Sequence, residues 1–304
     1  CYSVGNIALS NSRFYGRYGR AQCNNQNNAS GICPTQNFVD KFETAGGYPL
    51  NTPEERAAAT AAGQYDEQNP YVNRDPRFDV VVIYNQKPVQ GYGNASIYVN
   101  EDGSLPSGSL IQKRSGSEDG VSETFYYEQK RTGALSNKGV QNLLLTDPII
   151  RLAELYLNYA EAANEAYGPD GQAPGAAMTA LEALNTVRSR VGMPAVLDAY
   201  TTDRDALRPR IKNERAVELC FEGYHYYCDI RRWKDAPSIH RTRLTGMRVT
   251  KLKATAQYPT GFRYERFELP SNRQIAWKND GMYYVQFQTS DLLKMKNYVP
   301  NEAW

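Results

Sequence analysis

The sequence predicts a mainly α-helical fold with long irregular connections and a few short strands. Apolar residues recur at three- and four-residue spacing in three stretches, 147–168, 175–192 and 203–233, which is the period of a helix with one buried face. The connections, such as the polar loop 168–175, show no such period. The apolar run 80–84 has the length of one buried strand.

The first stretch predicts an amphipathic helix of about five turns. Asp147 is the expected N-cap, and Pro148 follows in the first position, where a missing N–H costs nothing. Gly168 followed by Pro169 ends the helix. The predicted buried stripe consists of Leu152, Leu155, Tyr156, Tyr159, Ala160 and Ala163.

The second stretch predicts a helix that packs on the first one as a hairpin. Short loops between amphipathic helices favour antiparallel neighbours, and small alanine faces allow close packing. This helix is predicted to end at Gly192, with Pro194 two residues later. The apolar positions are Ala177, Ala180, Leu181, Leu184, Val187 and Val191.

The third stretch begins near 203–209, and Pro209 is expected in or just before its first turn because proline cannot donate a hydrogen bond deeper in a helix. Gly223 interrupts the pattern, so the stretch is either one helix with a weak point or two helices, and a second hairpin is favoured. Two stacked pairs are typical of tetratricopeptide-like solenoids, although the repeat consensus is absent.

Acidic and basic residues alternate along these helices. Their spacing favours ion pairs between packed helices over a pair of catalytic carboxylates. In particular, Arg215 and Glu218 are expected to pair with the 229–233 stretch. The acids concerned are Glu154, Glu161, Glu214, Glu218 and Glu222, set against Arg151, Arg215, Arg231 and Arg232.

Length and composition favour one extended structural unit. The chain has 304 residues, 41% of them hydrophobic, which is enough for a substantial core. The 35 Lys and Arg nearly balance the 33 Asp and Glu, and no basic stripe with interleaved aromatics occurs, so nucleic acid is not an expected partner. No apolar run approaches the roughly 20 residues of a membrane span, and any export signal lies outside this sequence or has been removed.

The cysteines leave two interpretations open. Cys23 and Cys33 flank a polar, Asn-rich stretch, where a disulfide would close a short loop in an oxidising compartment. Cys220 and Cys228 lie on an apolar helical stretch and are expected to be buried small hydrophobes, too far apart to bond each other. Cys1 can be interpreted as a lipidated N-terminal residue or as the boundary of a fragment, and the second interpretation is favoured.

The sequence shows no catalytic, metal or cofactor motif. The two histidines, His225 and His240, lack metal-ligand spacing, and there is no nucleophile elbow or phosphate-binding glycine loop. We therefore expect a protein that is not an enzyme and needs no cofactor. Two carboxylates suffice for glycosidase chemistry, so a secreted glycoside hydrolase stays open as a less favoured alternative.

The decapeptide 69–78 (Asn-Pro-Tyr-Val-Asn-Arg-Asp-Pro-Arg-Phe) combines three charged residues with two prolines. Arg74, Asp75 and Arg77, placed around Pro76, predict a turn locked by charge-assisted hydrogen bonds that leads into the strand 80–84. A structural role is favoured for these three residues over a catalytic one.

Several motifs together resemble one family. They are Pro-Thr-Gln-Asn-Phe-Val-Asp-Lys-Phe-Glu at 34–43, the decapeptide 69–78, the helical runs 150–162 and 214–225, and Asp-Ile-Arg-Arg-Trp at 229–233. They resemble the C-terminal half of SusD/RagB proteins, outer-membrane lipoproteins that capture nutrients for TonB-dependent transporters. The terminal segments 282–287 and 298–304 match less well, because Gln286 and Phe287 replace the usual prolines.

The resemblance implies a SusD-like α-α superhelix with tetratricopeptide-like helix pairs over residues 1–304. We expect a loop-rich segment (1–34), a mixed strand and loop segment (35–146), helical pairs (147–236) and an irregular C-terminal segment (237–304). It also implies an N-terminal half, absent from this sequence, that supplies further helices and part of the ligand face.

Tyrosine is abundant, with 23 residues. Aromatic faces stack on sugar rings while the phenol hydroxyl bonds a ligand hydroxyl, so tyrosines on loops suit carbohydrate capture. The Gly-rich flanks single out Tyr15, Tyr18, Tyr92 and Tyr98 as exposed ligand-binding candidates.

The function implied by the resemblance is a surface glycan-binding lipoprotein that delivers oligosaccharides to a SusC-like TonB-dependent outer-membrane transporter. The protein would face outward from the outer membrane through a lipid anchor in its full-length form. The alternative within the family is oligopeptide capture of the RagB type.

Overall fold

The computed structural model describes residues 33–89, 93–111, 122–130, 149–284, 289–294 and 297. The described part is helix-rich with short strands, which confirms the predicted fold class. It opens with three short helices, α1 (Gln36–Val39), α2 (Pro53–Ala61) and α3 (Pro76–Val81). The short strands are β1 (Val82–Ile83), β2 (Pro88–Val89), β3 (Gly93–Asn94), β4 (Val99–Asn100) and β5 (Tyr127–Glu128). β1 pairs antiparallel with β5, and β2 with β3.

The predicted strand over 80–84 is divided between the end of a helix and a two-residue strand. Asp75 accepts a hydrogen bond from the Arg77 N–H at 2.9 Å, and Pro76 occupies the first helical position, so this cap starts α3 instead. Val80 and Val81 therefore belong to the helix, and Val80 is exposed. Only Val82 and Ile83 form the strand.

The helix α4 spans Leu152–Tyr167 and begins later than predicted. Its N-cap position is Arg151, whose guanidinium has no acceptor for a capping hydrogen bond and binds Glu218 and Glu222. Asp147, the predicted cap, lies outside the described residues. The end is as predicted, at Gly168, whose φ of 86° favours glycine.

The buried stripe of α4 is rotated from the predicted one. Leu157, Ala160 and Ala163 are buried, whereas Leu152 and Leu155 are exposed. The helices that follow cover only one side of α4. The predicted helical period was therefore correct, but only part of the predicted buried face is buried.

The helix α5 (Ala180–Ser189) starts with a capping box. The Thr179 hydroxyl accepts from the Glu182 N–H at 3.1 Å, and the Glu182 carboxylate accepts from the Thr179 N–H at 2.7 Å. Its buried face contacts α4 in a shared apolar core. The first predicted helical hairpin is therefore present.

The helix α6 spans Arg204–Glu218 and contains Pro209 in its second turn, one turn deeper than predicted. Proline there forfeits the hydrogen bond to the carbonyl four residues earlier. The Asp203 carboxylate compensates at the start by accepting from two N–H groups at 2.8 and 2.9 Å, and Leu207 and Ile211 on either side of the proline are fully buried.

The interruption at Gly223 separates α6 from the helix that follows it, as expected. α7 covers His225–Arg232 and α8 covers Ala236–Arg241. Phe221 and Gly223 both have a φ of 56°, a left-handed conformation that ends the helical path. Cys220 before the turn is buried, and burial raises the pKa of its thiol to about 11. Cys228 on α7 is exposed, so its predicted burial is wrong.

The C-terminal segment is less irregular than expected. β6 (Thr245–Lys251) and β7 (Phe262–Glu268) form an antiparallel pair, and β4 adds to β6 in parallel. The described residues end at the short helix α9 (Thr289–Leu292) and the turn after it. This sheet packs on α1 and α3 in one core, while a second core lies between α4, α5 and α6.

A buried ion network joins the two cores. Arg77 donates to Asp75 at 2.6 Å, to Glu214 at 2.5 Å and to Glu218 at 2.9 Å. Arg188 on α5 bridges Glu214 at 3.2 Å and Glu43 at 2.8 Å. The decapeptide charges predicted to lock a turn thus also clamp the N-terminal segment to α5 and α6.

Candidate functional site

The described residues contain an open cleft between α4 and the N-terminal end of α7. Its volume is about 590 Å³. It is lined by Glu154, Asn158, Glu161, Ala162, Glu165, Arg215, Tyr224, His225, Cys228, Asp229 and Arg232.

The turn that precedes α7 sets the shape of one cleft wall. The two left-handed residues Phe221 and Gly223 redirect the chain. Tyr224 and His225 follow at once and line the cleft, with Tyr224 43% exposed. Both residues fall within the predicted helical stretch 203–233, and the predicted interruption at Gly223 was the signal that they begin a separate wall.

The floor of the cleft consists of mutually paired charges. Arg215 donates to Asp229 at 3.0 Å and to the Asn158 side-chain oxygen at 2.6 Å. Arg232 binds Asp229 at 2.8 Å and Glu161 at 2.6 Å. The predicted pairing of Arg215 with the 229–233 stretch is therefore confirmed.

Glu218 does not share in that pairing, so this part of the expectation is wrong. Its carboxylate faces the other side of α6, where it binds Arg77, Arg151 and Arg190. Burial alone would raise the pKa of Glu218, but the hydrogen bonds and charges of Arg151 and Arg77 outweigh it and hold the pKa below its usual value.

Glu161 is held in its charged form. Burial alone would raise the pKa of Glu161, but hydrogen bonds from Arg232 and from the Trp233 indole, at 2.7 Å, hold it below the usual value. A carboxylate saturated by donors is a poor general acid or base. Glu154, at the rim, lies 3.7 Å from the His225 imidazole.

The cleft is polar, with a floor of paired charges. Its deep charges neutralise one another, and the described ranges hold no group of three His, Cys, Asp or Glu residues suited to a metal ion. Its exposed residues include Asn158, Ala162 and Glu165 on α4, and Tyr224 and Cys228 on the opposite wall.

The structure describes one of the four predicted ligand-binding tyrosines, Tyr98. Tyr15, Tyr18 and Tyr92 fall outside the described residues, so their role stays a prediction. Tyr98 is 9% exposed, which contradicts its expected exposure. Its ring packs against Phe262 at 5.2 Å between centroids, with Lys251 over it at 5.5 Å, because β4 brings it onto the sheet core. Ligand binding by Tyr98 itself stays untested.

Cys23 also lies outside the described residues. A disulfide between Cys23 and Cys33 therefore stays a prediction.

The fold contains packed helical pairs, and comparison with known proteins gives the family. The SusD family model matches residues 6–304, and the chain belongs to that family. Comparison with curated proteins finds no match.

Solved structures share the fold. A SusD-like protein from Bacteroides fragilis is 24% identical, with a TM-score of 0.61, and the match covers 90% of this chain and 48% of that one. A SusD-like carbohydrate-binding protein from the same organism is 24% identical, with a TM-score of 0.55, covering 87% of this chain and 48% of that one. The chain spans about half the length of these structures.

No helix within the described ranges has both the length and the apolarity needed to cross a membrane.

Proposed function

We propose that this protein is a glycan-binding member of the SusD family that captures oligosaccharides and passes them to a SusC-like TonB-dependent transporter. The observation that carries the proposal is the family match over residues 6–304. A structural neighbour described as carbohydrate-binding supports the ligand class. In its full-length form, the protein would be lipid-anchored on the outer face of the outer membrane.

The ligand site is proposed on the tyrosine-rich loops. Tyr15, Tyr18 and Tyr92 have small or Gly neighbours that permit their rings to stack on a sugar face. Tyr98 follows Tyr92 in the sequence, beyond β3, and its buried ring fixes this part of the chain on the sheet. We include Tyr98 as a supporting member of the platform.

The experiment is a glycan array followed by calorimetry of the hits, with a library of short peptides as the competing ligand class. We expect binding to at least one oligosaccharide and no turnover of it. Tyr18→Ala should weaken that binding by about 1 kcal/mol or more. Tyr258→Ala, in the loop between β6 and β7, is the matched control and should leave affinity unchanged.

Binding to peptides alone would replace glycan capture with peptide capture, and product release from an oligosaccharide would indicate a hydrolase. Wild-type affinity in the alanine variants of Tyr15, Tyr18 and Tyr92 would move the glycan site away from these loops.

A further inference from the structure

The cations at the C-terminal end of α7, on α8 and in the segment 271–284 differ from those in the buried network. Arginines of that network, such as Arg77 and Arg188, bind carboxylates directly. The cations of this surface form no ion pair with a carboxylate of the described residues. Together with His240 they make up what we call the α7–α8 patch: Arg231, Lys234, Arg241 and Lys278.

Aromatic rings take the place of carboxylates in this patch. The Arg231 guanidinium lies 3.4 Å from the centroid of the Tyr227 ring. The Lys234 ammonium lies 4.1 Å from the centroid of the Tyr283 ring. A ring attracts a cation through its quadrupole but carries no net charge. These contacts therefore fix the cations in place and leave their positive charge unneutralised.

His240 responds to that positive charge. Its ring stacks on Trp277, with 5.6 Å between the centroids and an angle of 14° between the planes. The pKa of His240 is lowered, first by burial and then by the charge of Arg231. Arg231 and His240, on two different helices, therefore belong to one electropositive region.

Neighbouring carboxylates do not cancel this charge. Burial and the charges of Asp280 and Asp235 raise the pKa of the Tyr283 phenol, so both carboxylates lie near the patch. Asp235 is already bound by Lys212 at 2.7 Å. Asp280 is the remaining one of the two, and a single carboxylate cannot balance the four cations.

The region also has more hydrogen-bond donors than acceptors. Trp277 is only 7% exposed, and its indole N–H has no acceptor in the part of the chain that the structure describes. The Nε–H of Arg231 is buried and lacks an acceptor there as well. Buried polar groups are nearly always hydrogen-bonded, and anionic oxygens are the strongest acceptors for such donors. The missing acceptors and the missing negative charge both point to an anionic ligand.

We propose that the α7–α8 patch binds an acidic oligosaccharide, one that carries sulfate or carboxylate groups. The inference rests on the proposed glycan capture, and it adds to that function a ligand class and a second site. Rings beside cations suit a charged sugar chain, because the rings stack on the sugar while the cations bind its anionic groups. Tyr284, which is 63% exposed next to Tyr283, offers such a ring.

The experiment is calorimetry of the full-length protein with a short dextran and with its sulfated form of the same chain length. We expect the sulfated form to bind at least tenfold more tightly, and this preference to shrink as the salt concentration rises. The double variant Lys234→Gln, Arg241→Gln should reduce the preference by at least about threefold, since each exposed charge contributes modestly. Both side chains are exposed, so the fold does not depend on their burial.

The matched control is the double variant Arg248→Gln, Lys253→Gln, on β6 and in the loop after it. It also removes one arginine and one lysine that are exposed. As in the first variant, one of the two cations lies over a ring, here Arg248 at 5.4 Å from the Phe267 centroid. The control should keep the full preference for sulfated dextran.

Three outcomes would overturn the proposal. Equal losses in the two double variants would assign the preference to the net charge of the protein. Equal affinity for the two dextrans would show that the patch does not select anionic groups. Binding to vesicles that contain anionic lipid, without binding to sulfated dextran, would make the patch a membrane-contacting surface.

The proposed function is tested separately by the glycan array. Array hits that depend on Tyr18, without a preference for sulfated dextran, would leave glycan capture intact and remove only the α7–α8 patch as a site. Absence of binding to any oligosaccharide, neutral or sulfated, would remove both.

Discussion

Arg77 shows how one side chain can hold distant parts of the chain together. It lies 2 residues from Asp75 but 137 and 141 residues from Glu214 and Glu218, and it binds all three carboxylates. These groups are buried, so each depends on the others for the solvation that water would otherwise provide. The net contribution of such a network to the free energy of unfolding is small. Removing one of its charged groups is costly, because the remaining charges stay buried without a partner.

Replacing Arg77 with Met should therefore destabilise the protein strongly. The variant leaves Glu214 and Glu218 buried with one cation fewer, and breaking a buried pair typically costs about 3–5 kcal/mol. Urea unfolding at pH 7 measures the change. Arg243→Met, which removes an exposed pair with Glu268 at 3.1 Å, is the control and should cost under about 1 kcal/mol. Equal losses in the two variants would show that the network around Arg77 is solvated.

Glu161 gives the stability a pH dependence of known sign. Its pKa is lowered in the folded protein, so its contribution is fully present above the ordinary value of about 4.5 and is lost as the pH falls through the lowered one. Glu161→Gln lacks this titration. The difference in urea midpoint between wild type and variant should shrink on acidification from pH 7 toward pH 3.

The matched control for that series is Glu265→Gln, which alters an exposed pair with Arg263. Its midpoint difference should stay small at every pH, because exposed pairs contribute little. A wild-type to Glu161→Gln difference that is constant across the range would contradict the assigned role of the Arg232 and Trp233 hydrogen bonds.

At the scale of elements, a local capping signal decides where α5 starts. The Thr179 and Glu182 capping box is complete, so α5 begins at Ala180. Thr179→Ala should destabilise the protein by about 1 kcal/mol, read from urea unfolding. Thr186→Ala changes the same residue type in the middle of the same helix, where the exposed hydroxyl only bonds back to the Glu182 carbonyl. Thr186→Ala should leave the free energy of unfolding unchanged or raise it slightly. If it lowers that free energy as much as Thr179→Ala does, the capping box does not stabilise α5.

The ends and breaks of helices could be predicted from the sequence where neighbouring residues determine them. They were predicted less well where tertiary contacts determine them. The period, the stop at Gly168 and the break at Gly223 are local and were correct. The start of α4 was wrong because Arg151 is committed to Glu218 and Glu222, residues far along the chain. The depth of Pro209 in α6 was wrong because burial of its neighbours compensates for the lost hydrogen bond.

The candidate site was harder to predict for a similar reason. Gly-rich flanks indicated that Tyr98 was exposed, but flanks do not reveal that β4 joins β6, a strand about 150 residues away in sequence. The cleft combines α4 with the turn before α7, and no local pattern joins these two segments. The charge pairing of Arg215 with Asp229 was predictable because the break at Gly223 lets the two parts of the 203–233 stretch pack against each other.

At the scale of the whole molecule, the sheet ties the C-terminal segment to the rest, and Gly246 in β6 lies at the closest approach. A Cβ added there would come within 2.8 Å of the Phe267 ring and 3.0 Å of the Thr124 backbone. The next N–H, of Met247, donates to the Thr124 carbonyl at 3.1 Å, so the backbone cannot move away freely.

Gly246→Ala should therefore destabilise the protein by about 1–3 kcal/mol through overpacking, although alanine suits a strand better than glycine. Gly46→Ala is the matched control, because the Cβ there would meet the flexible end of the Gln64 side chain. That side chain can rotate away, so the control should lose clearly less. Urea unfolding of both variants, followed by tryptophan fluorescence, measures the difference. A Gly246→Ala midpoint at or above that of the control would show that the 122–130 segment is not held against β6 in solution.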